Sequence, residues 1–117
     1  MSPVAFDPQT STETLTLSAN DYMQSVLVVP LLSRIRDLAP KMRLRVVNAE
    51  VSELVTRLAN GNIDLALTIP DFTEASLHTQ FLYREEYVAA VRRGHPIRSK
   101  RVSLKRFLAF DHAQVSP

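Results

Sequence analysis

Residues 14–40, TLTLSANDYMQSVLVVPLLSRIRDLAP, contain a strand pattern followed directly by a helix pattern. Its first five residues alternate polar and apolar side chains, which is typical of a strand. Asn20 and Asp21 follow at once, and both residue types can cap the start of a helix. An apolar stripe then runs from Met23 to Leu38 at spacings of four, four, four and three residues. The pattern predicts a strand followed directly by an amphipathic helix over about residues 21–38.

Pro30 interrupts this first helix. Because proline cannot donate to the helical ladder, we expect either a kink or a helix that restarts with Pro30 in its first turn. Val28, Val29 and Leu32 add a second apolar surface, which is more than packing against a sheet requires. The helix is therefore either deeply buried or meets a partner. The pattern favours an oligomer interface at Val28, Val29 and Leu32.

The residues that follow repeat the alternation of strand and helix. Residues 42–47 read as a second strand, and 63–69 as a third that both faces of a parallel sheet would cover. Between them, a second helix ends at Gly61, a candidate left-handed stop. Its expected buried face consists of four apolar residues, Val51, Leu54, Val55 and Leu58. The order β-α-β-α-β predicts an α/β fold with a mostly parallel sheet and two right-handed crossovers.

The pattern changes after residue 76. Residues 77–93 are predicted to be extended, and the segment is too long for one ordinary strand. Its charged centre at 84–86 is where we expect the chain to leave one sheet and enter another. Ser103 is then expected to cap a short helix through Leu108, and residues 112–116 read as a last strand.

Composition argues against an enzyme. The chain of 117 residues suits one domain of modest size, and the absence of cysteine excludes disulfides, thiolate zinc sites and cysteine nucleophiles. His78, His95 and His112 lie at neither metal-ligand nor triad spacing. Glu85 and Glu86 are adjacent in an extended segment, so their side chains point to opposite faces. We therefore predict no catalytic residue, no metal and no cofactor.

Charge and hydropathy limit the possible partners. Seven of the fourteen basic residues fall within 92–106, although the net charge is only +2. This stretch has neither a groove-reading helix nor stacking aromatic residues, so we favour a solvated or interdomain surface over nucleic-acid contact. No apolar run approaches the roughly 20 residues that span a bilayer. The first twelve residues lack the pattern of a signal peptide, and we expect a cytoplasmic protein without membrane contact.

Three segments, in order, resemble one known family. FDPQTSTETLTLSANDYMQSVLVVPLLSRIRDLAP, residues 6–40, looks like the opening of the effector-binding domain of LysR-type transcriptional regulators. VSELVTRLANGNIDLALTI, residues 51–69, is similar to the helix-glycine-strand segment of that family with its Gly-x-x-Asp-Leu-Ala core. LYREEYVAAVRRGHPI, residues 82–97, resembles the crossover strand and the Gly-His-Pro turn. The ending HAQVSP, residues 112–117, looks closest to the branch of nodulation-type regulators.

The resemblance implies the fold of type 2 periplasmic binding proteins, in which two α/β subdomains close around a ligand. It divides the chain into a linker (1–12), an incomplete first subdomain (13–83), an interdomain crossover (84–90) and the start of a second subdomain (91–117). Family members begin with a winged helix-turn-helix and a linker helix, and they continue past this C-terminus. The resemblance therefore implies a fragment whose parent contacts DNA only through an N-terminal domain absent here.

Ligands in such sheets bind beyond the carboxyl ends of the strands. The candidate effector-binding residues are therefore Ser18, Ala19 and Asn20 after the first strand, Asn48 after the second and Asp71 after the third. Ser18 and Asn20 are the best candidates, although helix capping requires the same residue types at the same positions. Capping would also explain Asn48, and solvation would explain a loop aspartate such as Asp71.

Two functions from different classes remain open. In the first, the parent protein senses a small organic effector, and closure of its subdomains rearranges the DNA-binding heads. In the second, the chain is an interaction module that forms a homo-oligomer through its first helix without binding an effector. The first predicts that binding depends on Ser18 and Asn20, and the second that assembly depends on Val28 and Leu32.

Overall fold

The computed structural model describes residues 5–69 and 76–114. The chain divides into two compact units, Met1–Gln80 and Phe81–Pro117. The finer boundaries expected at residues 12, 83 and 90 stay predictions. The elements in the described residues are β1 (Thr14–Ser18), α1 (Asp21–Met23), a π-helical segment (Gln24–Val28), α2 (Val29–Leu38), β2 (Arg43–Val47), α3 (Val51–Ala59), β3 (Leu65–Ala66) and α4 (Leu104–Leu108).

The first unit is built on a three-stranded sheet in the order β2-β1-β3. The central strand β1 pairs in parallel with β2 over its whole length. It also pairs in parallel with β3, where Leu17 and Ser18 lie opposite Leu65 and Ala66. Helices connect β1 to β2 and β2 to β3, as parallel pairing requires. The structure confirms an α/β fold with a small parallel sheet.

The first helix accommodates Pro30 through a change in its hydrogen bonding. Asn20 Oδ1 accepts a hydrogen bond from the Met23 N–H at 2.9 Å, which confirms the predicted N-cap. Val29 N–H then donates to the carbonyl of Gln24, five residues earlier, so the turn before the proline is π-helical. Pro30 falls in the first turn of α2, where the missing N–H is tolerated. The predicted restart of the helix at Pro30 is confirmed.

The core of the first unit lies between β1 and the first helix. Leu17, Ala19 and Val28 are buried there, and the partly buried residues that pack against them are Met23, Leu31, Leu44, Val46 and Leu67. Leu54 of α3 is also buried, at 2% exposure. Val51 was expected beside it but is 48% exposed. As the first residue of α3, Val51 precedes the turn at which the helix presents Leu54 to the interior.

The third strand is shorter than expected. The apolar run predicted a strand over 63–69, whereas β3 covers only Leu65–Ala66. Leu67 N–H donates to the Ser18 carbonyl at 2.9 Å, and β1 ends at Ser18, so β3 has no partner strand beyond this point. Gly61 adopts a φ of 80°, which confirms the predicted left-handed stop after α3.

In the second unit, the described residues contain one regular element, α4. Ser103 Oγ accepts a hydrogen bond from the Arg106 N–H at 3.2 Å, which confirms the predicted cap. The described residues of 77–93 and 112–114 belong to no strand, contrary to the prediction, and the end of the expected last strand lies outside the described residues. A strand needs a neighbour to take its backbone hydrogen bonds, and no described segment pairs with these residues.

Candidate functional site

The residues that follow the three strands meet at the carboxyl edge of the sheet, and Ser18 connects them. Ser18 is only 3% exposed, and its Oγ accepts a hydrogen bond from the Ala49 N–H at 3.3 Å. Its carbonyl accepts one from the Leu67 N–H, while the neighbouring Ala19 N–H donates to the Val47 carbonyl, both at 2.9 Å. One buried polar residue therefore contacts the chain just beyond both outer strands.

The chemistry of Ser18 follows from the direction of its side-chain bond. In the contact with Ala49, the hydroxyl oxygen acts as the acceptor. A serine hydroxyl that accepts in this way keeps one proton that it can donate. Because the group is buried within the fold, a hydrogen bond to a ligand oxygen would be shielded from water and stronger than on an exposed surface.

The other predicted site residues differ in what the structure assigns to them. Asn20 is exposed, and its Oδ1 caps the helix, which leaves its side-chain NH2 group as a donor. Asn48 is exposed too, but the N-cap of α3 is Glu50, so capping does not account for Asn48. Ala19 is 1% exposed and can contribute only its backbone. Asp71 lies outside the described residues.

Gln24 is a residue at this edge that the sequence prediction missed. Its Nε2 donates to the Ala19 carbonyl at 2.9 Å, across five positions of the chain. Gln24 lies in the π-helical segment, one residue beyond the amide that Asn20 caps. A polar side chain in the first turn after a strand-helix junction was the available signal, but its apolar neighbours made the helix look like a packing element only.

The residues predicted for an oligomer interface do not share one environment. Val28 is 7% exposed and packs in the core with Leu17 and Ala19, so it belongs to the interior of the first unit. Val29 and Leu32 are 65% and 45% exposed. The prediction of a contact through the first helix therefore depends on Val29 and Leu32.

Among residues 5–69 and 76–114, no group of three or more His, Asp or Glu side chains could hold a metal ion. Within the same ranges, no helix has the length and apolar character needed to cross a membrane.

The three-stranded parallel sheet places this chain in the class of α/β proteins, in which ligands, where present, bind beyond the carboxyl ends of the strands. Within that class, a family model described as the LysR substrate binding domain matches residues 8–117, and the chain belongs to this family. The type 2 periplasmic-binding-protein-like fold expected from the resemblance is the fold of the family. The family consists of transcriptional regulators, so the prediction that the chain is not an enzyme is confirmed.

Two relatives illustrate the extent of the similarity. The chain is 28% identical over 111 residues to the HTH-type transcriptional activator NahR of Pseudomonas putida. It is 31% identical over 111 residues to the HTH-type transcriptional regulator LinR of Sphingobium indicum. Each match covers 95% of this chain but only 37% and 36% of NahR and LinR, so the chain spans little more than a third of their length.

Among solved structures, the chain is similar to a probable transcriptional regulator, PA0477, from Pseudomonas aeruginosa. The match is 44% identical, covers 50% of this chain and 20% of that chain, and has a TM-score of 0.47.

Proposed function

We propose that the chain is part of the effector-sensing domain of a LysR-type transcriptional regulator and that a small organic effector binds at the carboxyl edge of its sheet. The observation that carries the proposal is the environment of Ser18, a buried residue whose hydroxyl accepts a hydrogen bond from Ala49 beyond β2 and whose carbonyl accepts one from Leu67 beyond β3. Membership in the LysR substrate-binding family supports a ligand-sensing regulatory role.

The proposed binding groups are Ser18, the backbone of Ala19, Asn20, Asn48 and, outside the described residues, Asp71. The Ser18 hydroxyl and the side-chain amide groups of Asn20 and Asn48 are hydrogen-bond donors, so the site suits an effector that carries an oxygen acceptor. Each such bond contributes about 1 kcal/mol to binding, or roughly five-fold in affinity. Two or three together would favour one effector over an analogue without the acceptor.

Coupling of effector binding to transcription requires the whole regulator. An effector shifts an equilibrium between two conformations only if it binds one of them more tightly. We propose that closure of the two subdomains provides this difference, and that DNA is bound through an N-terminal winged helix-turn-helix in the cytoplasm. In a homo-oligomer formed through Val29 and Leu32, closure of one copy would be coupled to the conformation of its neighbour.

The experiment that tests effector binding is an NMR titration of the isotopically labelled chain with a panel of small organic acids, amides and phenols. Binding compounds should shift the amide signals of residues 18–20 and 48–49, and Asn48→Ala should weaken binding about five-fold. The matched control is Asn62→Ala. Asn62 is also exposed, but it precedes β3 and lies at the opposite end of that strand from the site.

The outcomes separate the two functions. If Asn62→Ala weakens binding as much as Asn48→Ala, or if the shifted signals lie away from the strand ends, the site is wrong. If no compound of the panel shifts any signal while Val29→Asp changes the oligomeric state, the chain acts as an interaction module.

A further inference from the structure

We infer that Gln24 is a positioning residue of the effector site, which holds the Ala19–Asn20 peptide so that the Asn20 N–H is available to a ligand. The role of Gln24 toward a ligand rests on the function proposed above. Its effect on the peptide is a property of the free chain and can be measured without any ligand.

The inference depends on one hydrogen bond, between the side chain of Gln24 and the carbonyl of Ala19. Gln24 Nε2 donates to the Ala19 carbonyl at 2.9 Å, and the bond is partly buried. Ala19 itself is 1% exposed and follows the last residue of β1. Because β1 has ended, no strand partner accounts for the Ala19 carbonyl, and the side chain of Gln24 supplies the donor. Leaving a buried carbonyl without a partner would be unfavourable.

The geometry of the peptide group carries this restraint to Asn20. The carbonyl of Ala19 and the N–H of Asn20 belong to one planar unit, and in a trans peptide they point in opposite directions. A donor that fixes the Ala19 carbonyl therefore also fixes the direction of the Asn20 N–H. Among the described residues, no backbone carbonyl accepts a hydrogen bond from that N–H. It is thus an oriented donor two residues after the buried Ser18.

The backbone of Gln24 is itself held at both ends. Its N–H donates to the Asn20 carbonyl at 2.9 Å, and its carbonyl accepts the Val29 N–H that closes the π-helical turn. The side chain therefore reaches Ala19 from a restrained backbone. Turns of π-helix inside α-helices are frequently found at functional sites. Here the turn that precedes Pro30 begins at the residue that reaches back to the strand end.

The test removes and restores the side-chain donor. Gln24→Met keeps the length of the side chain without an N–H, and Gln24→Lys restores an N–H donor at the end of a flexible side chain that is one bond longer. The matched control is Gln9→Met, because Gln9 Nε2 also donates to a backbone carbonyl, that of Leu38, at 3.1 Å. The first readout is the Asn20 amide nitrogen shift in the free chain, which responds to hydrogen bonding at the carbonyl of the same peptide. The second is the affinity for benzamide and benzoate at millimolar concentration.

Gln24→Met should move the Asn20 nitrogen signal and weaken binding of both probes about five-fold, the loss expected for one misdirected hydrogen bond. Gln24→Lys should restore both, and Gln9→Met should change neither. The inference is overturned if Gln24→Met lowers thermal stability while the Asn20 signal and the affinities stay as in the unmodified chain.

The experiment distinguishes failure of the proposed effector site from failure of the inference about Gln24. If the unmodified chain binds neither probe, that failure counts against the effector site, and the Asn20 nitrogen shift alone decides whether Gln24 orients the peptide. If Gln24→Met does not fold, the unmodified chain provides the answer. The side-chain amide protons of Gln24 should then exchange with water more slowly than those of the exposed Gln9, and equal rates would overturn the inference.

Discussion

Replacing Asp64 with alanine should destabilise the first unit, because the Asp64 carboxylate accepts a hydrogen bond from the central strand β1 at a position that β3 does not cover. Thr16 N–H donates to Asp64 Oδ2 at 2.8 Å, and Asp64 N–H donates to the Thr16 carbonyl at 2.9 Å. β3 begins only at Leu65, so the Asp64 side chain takes the place of a strand carbonyl opposite the central strand. Asp64→Ala removes that acceptor and leaves the Thr16 N–H without its partner.

The expected loss of stability depends on how exposed Asp64 and Thr16 are to water. A hydrogen bond to a charged group contributes about 1.5–3 kcal/mol to stability. Asp64 is exposed, so water can replace part of the interaction, whereas Thr16 is only partly exposed. We therefore expect a loss of about 1.5 kcal/mol in the free energy of unfolding, at the lower end of that range. Asp64→Asn keeps one oxygen acceptor without the charge, and about half of the loss should be recovered.

The assay is urea unfolding followed by far-ultraviolet circular dichroism. Asp37→Ala is the control, since Asp37 is an exposed aspartate of α2, and an ordinary surface change should stay within about 0.5 kcal/mol. Equal unfolding free energies for Asp64→Ala and Asp37→Ala would refute the proposed contribution of the carboxylate. Equal losses in Asp64→Ala and Asp64→Asn would show that charge, not the acceptor geometry, matters.

Two further predictions concern the turn after α3 and the first helix. Gly61→Ala should cost about 1–2 kcal/mol in unfolding free energy, because a Cβ is strained at a φ of 80° even though nothing lies within 4 Å of it. Gly61→Asn should cost less, and equal losses would argue against backbone strain. If the first helix is an oligomer interface, Val29→Asp and Leu32→Asp should yield folded monomers in light scattering. Val28→Asp should instead unfold the chain, because it buries a charge, and a folded Val28→Asp would contradict its place in the core.

Features governed by local chemistry could be predicted from the sequence. The caps at Asn20 and Ser103 and the left-handed turn at Gly61 each depend on a few adjacent residues, and all three are present. The restart of the helix at Pro30 likewise follows from one missing N–H. The π-helical turn before it was not predicted, because the apolar spacing of the helix does not distinguish one i→i+5 hydrogen bond from the ordinary ladder.

Features that depend on a distant partner could not be read from the sequence. The apolar run 63–69 has the composition of a buried strand, yet a strand extends only as far as its neighbour offers backbone groups. Because β1 ends at Ser18, pairing with β3 stops at Ala66. The segment 77–93, predicted to be extended, has no neighbouring strand among the described residues and forms no sheet there.

The candidate site shows the same division between local and distant effects. From sequence, Ser18 and Asn20 were equivalent, since each could be either a helix cap or a ligand contact. The structure separates them, because Asn20 caps the helix while Ser18 hydrogen bonds across the sheet to Ala49. Capping therefore explains the side-chain oxygen of Asn20 but does not explain a buried hydroxyl at Ser18. A substitution at Ser18 should consequently affect the relative position of two strand ends as well as any ligand, whereas a substitution at Asn20 should affect the start of one helix.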